Sequence, residues 1–355
     1  MRFLAVTAIT LGTLGAIPAA DPPKATLAPT VFSWDKAPGV LGAVVNDLPK
    51  TTGVTAVTPL SLQKTKCEVK FDKTPFWDAL QQCADKTNTR IALSEGGRKV
   101  ELVPRGNAVE IAATSGAFRV VAQQVVGRAL LDQGVTFHDV FLLVHWEPRL
   151  RVYRIDTAPK VTKVTDASGA KITVEGGSSQ VLPTNATSEM RVRLSGLPRK
   201  SDRITSLAGE FTVSAADKML AFAFEAPDGK LPDAQKRDNV SATLRRLQKK
   251  NDAWTVEVEV TYPKGQPVFQ SHEGEWWLRD NRMQLVSPKG EAVTLDDYEI
   301  PTPGGNPLVV IHRFKEDAKA GFGDPTVKGW KIVYETPSPL VEVKVPFELK
   351  GLPLP

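Results

Sequence analysis

Phe32-Ser33-Trp34-Asp35-Lys36-Ala37-Pro38 returns in the same chain as Val69-Lys70-Phe71-Asp72-Lys73-Thr74-Pro75. Each copy leads into a helical apolar pattern and then a Lys-Thr pair, Lys50-Thr51 and Lys86-Thr87. An internal repeat of strand, helix and strand predicts a small α+β module built from two similar halves. In the first half Leu41, Val44, Val45 and Leu48 recur at i, i+3, i+4 and i+7, the stripe of an amphipathic helix. Pro38 suits its first position and Gly53 its end. In the second half Phe76, Ala79, Leu80 and Cys83 form the stripe, with Thr74 as cap and Pro75 as first helical residue. Strands are expected over 54–57 and 90–93, and Glu95-Gly96-Gly97-Arg98 reads as a turn into a further strand over 99–103.

Beyond Pro104 the apolar period changes from helical to two. Val140, Leu142, Val144 and Trp146 share one strand face. So do Trp254, Val256, Val258, Val260 and Tyr262, with Glu257 and Glu259 opposite. Val341, Val343, Val345 and Phe347 form a third set, with Glu342, Lys344 and Glu348 outward. Half-solvated antiparallel strands alternate in this way. Turn signals such as Ala167-Ser168-Gly169, Pro227-Asp228-Gly229, Lys250-Asn251-Asp252 and Pro288-Lys289-Gly290 separate them. The expected fold class is therefore an α+β N-terminal module (βαβ–βαββ) followed by all-β sandwich domains, over 107–197 and 201–355, divided near Gly196-Leu197-Pro198.

The 355 residues are 41% hydrophobic and 24% charged, ordinary values for a globular chain with two or three cores. The net charge of +5 comes from Lys and Arg interleaved with Asp and Glu, which is not a nucleic-acid footprint. Arg2, an apolar run over 3–17 and Pro18-Ala19-Ala20 before Asp21 read as an export signal over 1–20, with a Pro-rich linker over 21–29. The run is too short to span a bilayer as a mature helix, so the expected location is periplasmic or secreted, with no transmembrane segment in the mature chain. Disulfides persist in such compartments. Cys67, on an extended segment, and Cys83, on the second helix, should both point into one strand–helix interface. A bridge and a pair of buried thiols both remain open.

Residues 30–105 resemble the short N-terminal (STN) domain of secretins and TonB-dependent receptors. The matching pieces are Pro38 to Leu48 with Thr51-Thr52-Gly53, Pro75 to Ala84 with Thr87-Asn88, and the closing hairpin from Leu93 to Val103-Pro104. The resemblance covers about a fifth of the chain. It implies a periplasmic protein-interaction or signal-relay module without enzymatic activity. Family members usually continue into a barrel or a ring. Here the later strands carry Lys and Glu where a barrel needs a lipid-facing apolar band. The whole layout is similar to exported proteins of planctomycete type.

No motif for a catalytic centre stands out. His138 and His145 are seven apart, on opposite faces of one strand. His145 and Glu147 share a face, but no third metal ligand is visible. His272 lies near Glu273 and Glu275, and His312 follows an apolar run, neither beside a nucleophile motif. Asp296-Asp297 with Glu299 lacks the spaced oxygens of a calcium loop, and Pro303-Gly304-Gly305 lacks the lysine of a phosphate loop. Trp276 and Trp277 are adjacent, so one is expected to face outward, where it could stack on a sugar or a partner; Trp330 is read the same way. Arg245, Arg246, Lys249 and Lys250 make the densest basic run, expected at a hairpin tip as an anion-binding surface or a solvated one. The expected function is thus a non-catalytic, cofactor-free envelope binding or scaffold protein with a protein partner. The alternative is a glycan- or wall-binding sandwich, extending to a glycan-active enzyme using Glu273, Glu275 or Asp297.

Overall fold

A computed structural model describes residues 27–36, 39–225, 231–263, 281–293, 295, 297–302, 305–316 and 322–355. The chain is mostly β-structure arranged in several sheets. Its first part runs β1 (Val31–Trp34), α1 (Leu41–Thr52), β2 (Thr55–Val57), β3 (Phe71–Pro75), α2 (Phe76–Thr87), β4 (Thr89–Ser94) and β5 (Lys99–Pro104). Strands β1 and β3 pair antiparallel, while β5 joins β2 in parallel and β4 antiparallel. Leu41, Val44, Val45 and Leu48 of α1 meet Phe76, Leu80 and Cys83 of α2 in one core with Phe32 and Trp34.

The helix ends differ from expectation. Helix α1 begins at Leu41, so Pro38, outside the described residues, is not its first residue. Gly53 closes α1 in the left-handed region at φ 70°, its N–H bonding Pro49 O at 2.8 Å. Pro75 is the last residue of β3 and flanks α2, and Thr74 makes no cap. A rigid φ at Pro75 suits the strand-to-helix corner, where a prolyl nitrogen has no N–H to leave unpaired.

The remaining strands are, in chain order, β6 (Ile111–Ser115), β7 (Phe118–Leu130), β8 (Val135–Trp146), β9 (Arg151–Asp156), β10 (Lys160–Asp166), β11 (Thr173–Glu175), β12 (Gln180–Val181) and β13 (Thr187–Ser195). They continue with β14 (Arg203–Ala216), β15 (Met219–Glu225), β16 (Asp233–Arg237), β17 (Val240–Lys250), β18 (Ala253–Thr261) and β19 (Arg282–Val286). The last are β20 (Ala292–Val293), β21 (Asp297–Glu299), β22 (Leu308–Lys315), β23 (Lys331–Pro337) and β24 (Val341–Pro353). Sheet β11-β13-β8-β7-β6 faces a second sheet centred on β14, which pairs β9, β10 and β24. Val140, Leu142, Val144 and Trp146 of β8 pack there against Phe211 and Val213 of β14 and Val345, Phe347 and Leu349 of β24. Sheets β15-β23-β19-β20 and β16-β17-β18-β22-β21 enclose another core, holding Phe222, Phe224, Val256, Val258 and Tyr334. A small cluster of Tyr153, Ala216, Leu308, Val310 and Leu340 joins the two pairs.

The boundary expected near residue 197 is not where the layers divide. Strand β14 follows it directly and belongs to the first pair of sheets, and β24 returns from the chain's end to run beside β14 from Arg203↔Pro353 to Ala215↔Val341. The second pair, 219–337, is therefore inserted between two neighbouring strands of the first. Alternation identifies a strand and its buried face but not its partner, so the sequence pattern marked β24 without saying which core it completes.

Candidate functional site

The site begins with α2, which is buried on two faces. Ala79, Leu80 and Cys83 enter the helix's own core, while Trp77 turns toward the first pair of sheets and is fully covered. The Trp77 indole N–H donates to Ala117 O at 3.0 Å, and its ring lies 6.3 Å from that of His145 on β8. Asp78 accepts from Thr114 Oγ1 at 2.6 Å, and Gln81 Oε1 accepts from Arg119 Nη2 at 3.1 Å. Arg119, 1% exposed, forms an ion pair with Glu110, whose carboxylate oxygens are also buried. Burial lowers the Arg119 pKa to about 10, so the guanidinium is still charged at neutral pH. Burial, with the neighbouring Arg119 charge, lowers His145 to about 3 and keeps it neutral.

A second seam lies at the start of the described chain. Leu27 is buried in the first sheet-pair core. Glu147, wholly buried, accepts from Thr30 N at 2.9 Å, Thr30 Oγ1 at 2.6 Å and Arg149 Nε at 2.7 Å. Arg149 also reaches Ala28 O and, at 3.1 Å, Asp217 Oδ1. His145 and Glu147 are thus parts of two separate contacts that fasten the N-terminal elements to the sheets. Among the described residues no group of three or more His, Cys, Asp or Glu is placed to hold a metal ion.

Between these elements the surface opens into a cleft of about 440 Å³. Three segments line it: the turn with Glu95, Gly96 and Arg98, the stretch from Trp146 to Tyr153 with Arg151, and the 182–186 loop with Asn185. The turn sits close because it is built on glycine. Gly96 and Gly97 have φ of 68° and 82°, and a Cβ on Gly97 would stand 2.7 Å from Ala186 Cβ. Ala186 N donates to Gly96 O at 2.9 Å across the same contact. Among the described residues the Arg98 side chain bonds only a backbone carbonyl, Glu95 O at 3.2 Å, and no carboxylate comes within ion-pair reach of Arg98 or Arg151. Glu95, the one acid in the lining, is 3.6 Å from Lys99. The cleft is therefore an amphiphilic recess with two uncompensated guanidinium groups, suited to a carboxylate or another oxyanion beside an apolar group.

The residues expected from sequence fall elsewhere. The basic run lies along the end of β17 and reaches the Asn251-Asp252 turn of the β17–β18 hairpin, with a bulge between Leu244 and Arg246 at its start. Arg245 reaches Glu259 at 3.1 Å, and Arg246 reaches Glu257 at 3.9 Å. Lys249 binds Glu316 at 2.5 Å and lies over Trp254, 5.9 Å from the ring centre. Lys250 lines an open polar groove with Arg313 and Lys315. Most of these cations already have carboxylate partners, so they are a solvated, paired sheet face. Trp276, Trp277, His272, Glu273, Glu275 and Asp296 lie outside the described residues. Glu299 pairs Arg313 at 2.7 Å across β21 and β22, with Asp297 in register with the same arginine. His312 is buried between Tyr298 and Tyr334, its pKa lowered by burial to about 4. Trp330 packs on Phe322 in the second core. Cys67 and Cys83 are free, buried thiols in one core.

Arg98, Arg151 and Asn185 were not visible as a set, because distant segments bring them together. The one sequence signal was Gly96-Gly97, a pair that a two-residue turn can use and that a close backbone approach also demands. No family model, curated protein or solved structure matches the chain.

Proposed function

We propose that this is an exported, non-catalytic binding or scaffold protein that contacts a protein partner in the cell envelope. In this reading residues 30–105 are an STN-like βαβ–βαββ module, the later sheets are β-sandwiches, and the working compartment is periplasmic or secreted. The observation that carries it is the cleft at the junction, which presents the Arg98 and Arg151 guanidiniums, without carboxylate partners among the described residues, in a lining that also holds apolar side chains. A recess that offers charge and apolar surface, built from two parts of the chain, has the composition of a recognition site.

Deleting residues 30–105 would not test this cleanly, since it would uncover Arg119, Glu110 and His145 on the first pair of sheets. Point variants at the rim do. The full chain, used as cross-linking bait in an envelope fraction, should capture a defined partner, and Arg98→Ala with Arg151→Ala should reduce that capture about tenfold or more. Equal capture by wild type and variant would defeat the cleft as the recognition site. Absence of any partner above a neutral-protein control would defeat the binding reading itself.

A further inference from the structure

The first pair of sheets has two ends, and one of them carries the rest of the described chain. Ala117, His145 and Glu147 receive the N-terminal elements there, and the inserted block joins beside them, after Ala216 and before Val341. The opposite end is built from three loops. Leu131 to Gly134 join β7 to β8, Ala167 to Ile172 join β10 to β11, and Gly196 to Asp202 join β13 to β14. Strand register brings them to one end: Phe137 lies opposite Ser195, Ser195 opposite Thr173, and Asp166 opposite Ile204. Asp166 ties two of the loops together, accepting from Ser168 N at 3.1 Å, Ala170 N at 3.0 Å and Ser201 Oγ at 2.6 Å. The third loop is reached through the chain's last residues. Leu354 N donates to Asp202 O at 2.8 Å, and a Cβ on Gly127 would stand 3.4 Å from Pro355.

The β7–β8 hairpin projects from this end, because β13 stops at Ser195, opposite Phe137. Leu130 pairs with Val135, and Gln133 N closes the turn on Leu130 O at 3.3 Å. Leu131 at the apex is 90% exposed, more than any other large apolar side chain among the described residues, and Leu130 and Val135 beside it are exposed too. Lys171, Arg199 and Lys200 stand exposed on the adjoining loops, and among the described residues no carboxylate comes within ion-pair reach of them. A Cβ on Gly196 would meet Lys171 O at 2.8 Å, so the two loops that carry these cations are in contact. Of the acids at this end, Asp166 is buried and Asp202 pairs with Arg203 at 3.2 Å, which leaves Asp132 exposed in the turn.

We propose that this end docks on an anionic lipid surface, with Leu130, Leu131 and Val135 entering the bilayer interface and Lys171, Arg199 and Lys200 against the headgroups. An apolar tip ringed by unpaired cations combines the two attractions that hold a protein on such a surface. A soluble anion would need the cations but not the leucines. A specific protein contact buries about 800 Å² on each side, far more than three side chains at a hairpin tip supply. The cleft with Arg98 and Arg151 lies at the other end of β8, beside Trp146, so the inference does not depend on what that cleft binds.

The test is co-sedimentation of the full chain with vesicles of phosphatidylcholine and phosphatidylglycerol in equal parts, and with vesicles of phosphatidylcholine alone. Binding should favour the anionic vesicles and weaken as salt is added. Leu130→Ser with Leu131→Ser should weaken it about tenfold. Lys171→Ala, Arg199→Ala and Lys200→Ala together should weaken it about a hundredfold, since each cation near an anionic surface strengthens binding about fivefold. All of these side chains are exposed, so the variants should keep the native circular dichroism and thermal midpoint. As a second readout, Leu131→Cys labelled with an environment-sensitive dye should brighten on the anionic vesicles, the two native thiols being buried. Arg98→Ala with Arg151→Ala should leave vesicle binding unchanged; its loss there would move the site to the cleft and overturn the proposal. Sedimentation with neither vesicle, equal sedimentation with both, or full binding by the leucine variant would also overturn it. A concentration-dependent dimer that the leucine variant abolishes, without vesicle binding by the wild type, would give the tip to a second copy instead.

Discussion

Acid should destabilise this protein well above the pH at which its carboxylates titrate, and two buried imidazoles set the size of the effect. An unperturbed histidine titrates near about 6.5. In the folded chain burial lowers His145 to about 3 and His312 to about 4. Each therefore takes up a proton in the unfolded chain and not in the native one, so stability is complete above the unfolded pKa and falls as pH drops through it. Between about pH 7 and about pH 4.5 each imidazole should cost about 2.5 kcal/mol, or about 5 kcal/mol together. His138, whose pKa burial also lowers, adds to the same slope. The paired carboxylates do not share this window. Hydrogen bonds and charge from Arg193 lower Asp139, and those of Ser201 and Ser168 lower Asp166, so their contribution is present above their unfolded pKa near about 3.9 and lost only below it. Urea unfolding followed across the window, with His312→Leu and His145→Leu, separates the terms: each variant should remove roughly half of the pH dependence. The imidazoles of both histidines should stay mostly unprotonated by NMR down to about pH 4.5. Native-state titration near about 6.5, or a pH slope unchanged in both variants, would refute the reasoning.

The contacts between the N-terminal elements and the sheets can be probed in three further ways. Trp77→Ala removes a fully buried indole and its bond to Ala117 O, and should cost about 3–5 kcal/mol by chemical denaturation. Arg119→Met should cost about 3–5 kcal/mol because Glu110 is left buried and unpaired, whereas adding Glu110→Met should recover most of that loss; a double variant no better than the single one would show that the ion pair is not the reason. Gly97→Ala forces a side chain at φ 82° toward Ala186 Cβ, and should cost about 1–3 kcal/mol with faster amide exchange at Ala186 as the turn lifts from the loop.

The early repeat and the period-two runs identify helices and strands because backbone geometry writes itself into apolar spacing. The spacing does not report how many faces of an element are covered. Leu80 and Cys83 mark the inner stripe of α2, but Trp77 and Ala84 are equally buried, widening the apolar face beyond what one core needs. That breadth was the sequence's sign of a second contact. The run Arg245-Arg246-Leu247-Gln248-Lys249-Lys250 misleads for a related reason. Composition shows its charge, while the bulge after Leu244 and the facing Glu257, Glu259 and Glu316 decide how much of it is neutralised. Arg98 and Arg151 carry no local pattern at all, since only the docking of the Gly96-Gly97 turn makes them neighbours.

Strand β24 gives the chain an unusual order of assembly. The residues that seal the first core, Val345, Phe347, Leu349 and Leu352, are synthesised only after the whole inserted block. Until they arrive, one side of β14 is an empty slot as long as the strand itself. The block between them can close on its own and bring its ends together, so a growing polypeptide should finish its middle before its beginning. A chain stopped short of Val341 would carry that slot permanently, and the strand best matched to fill it belongs to an intact sister molecule.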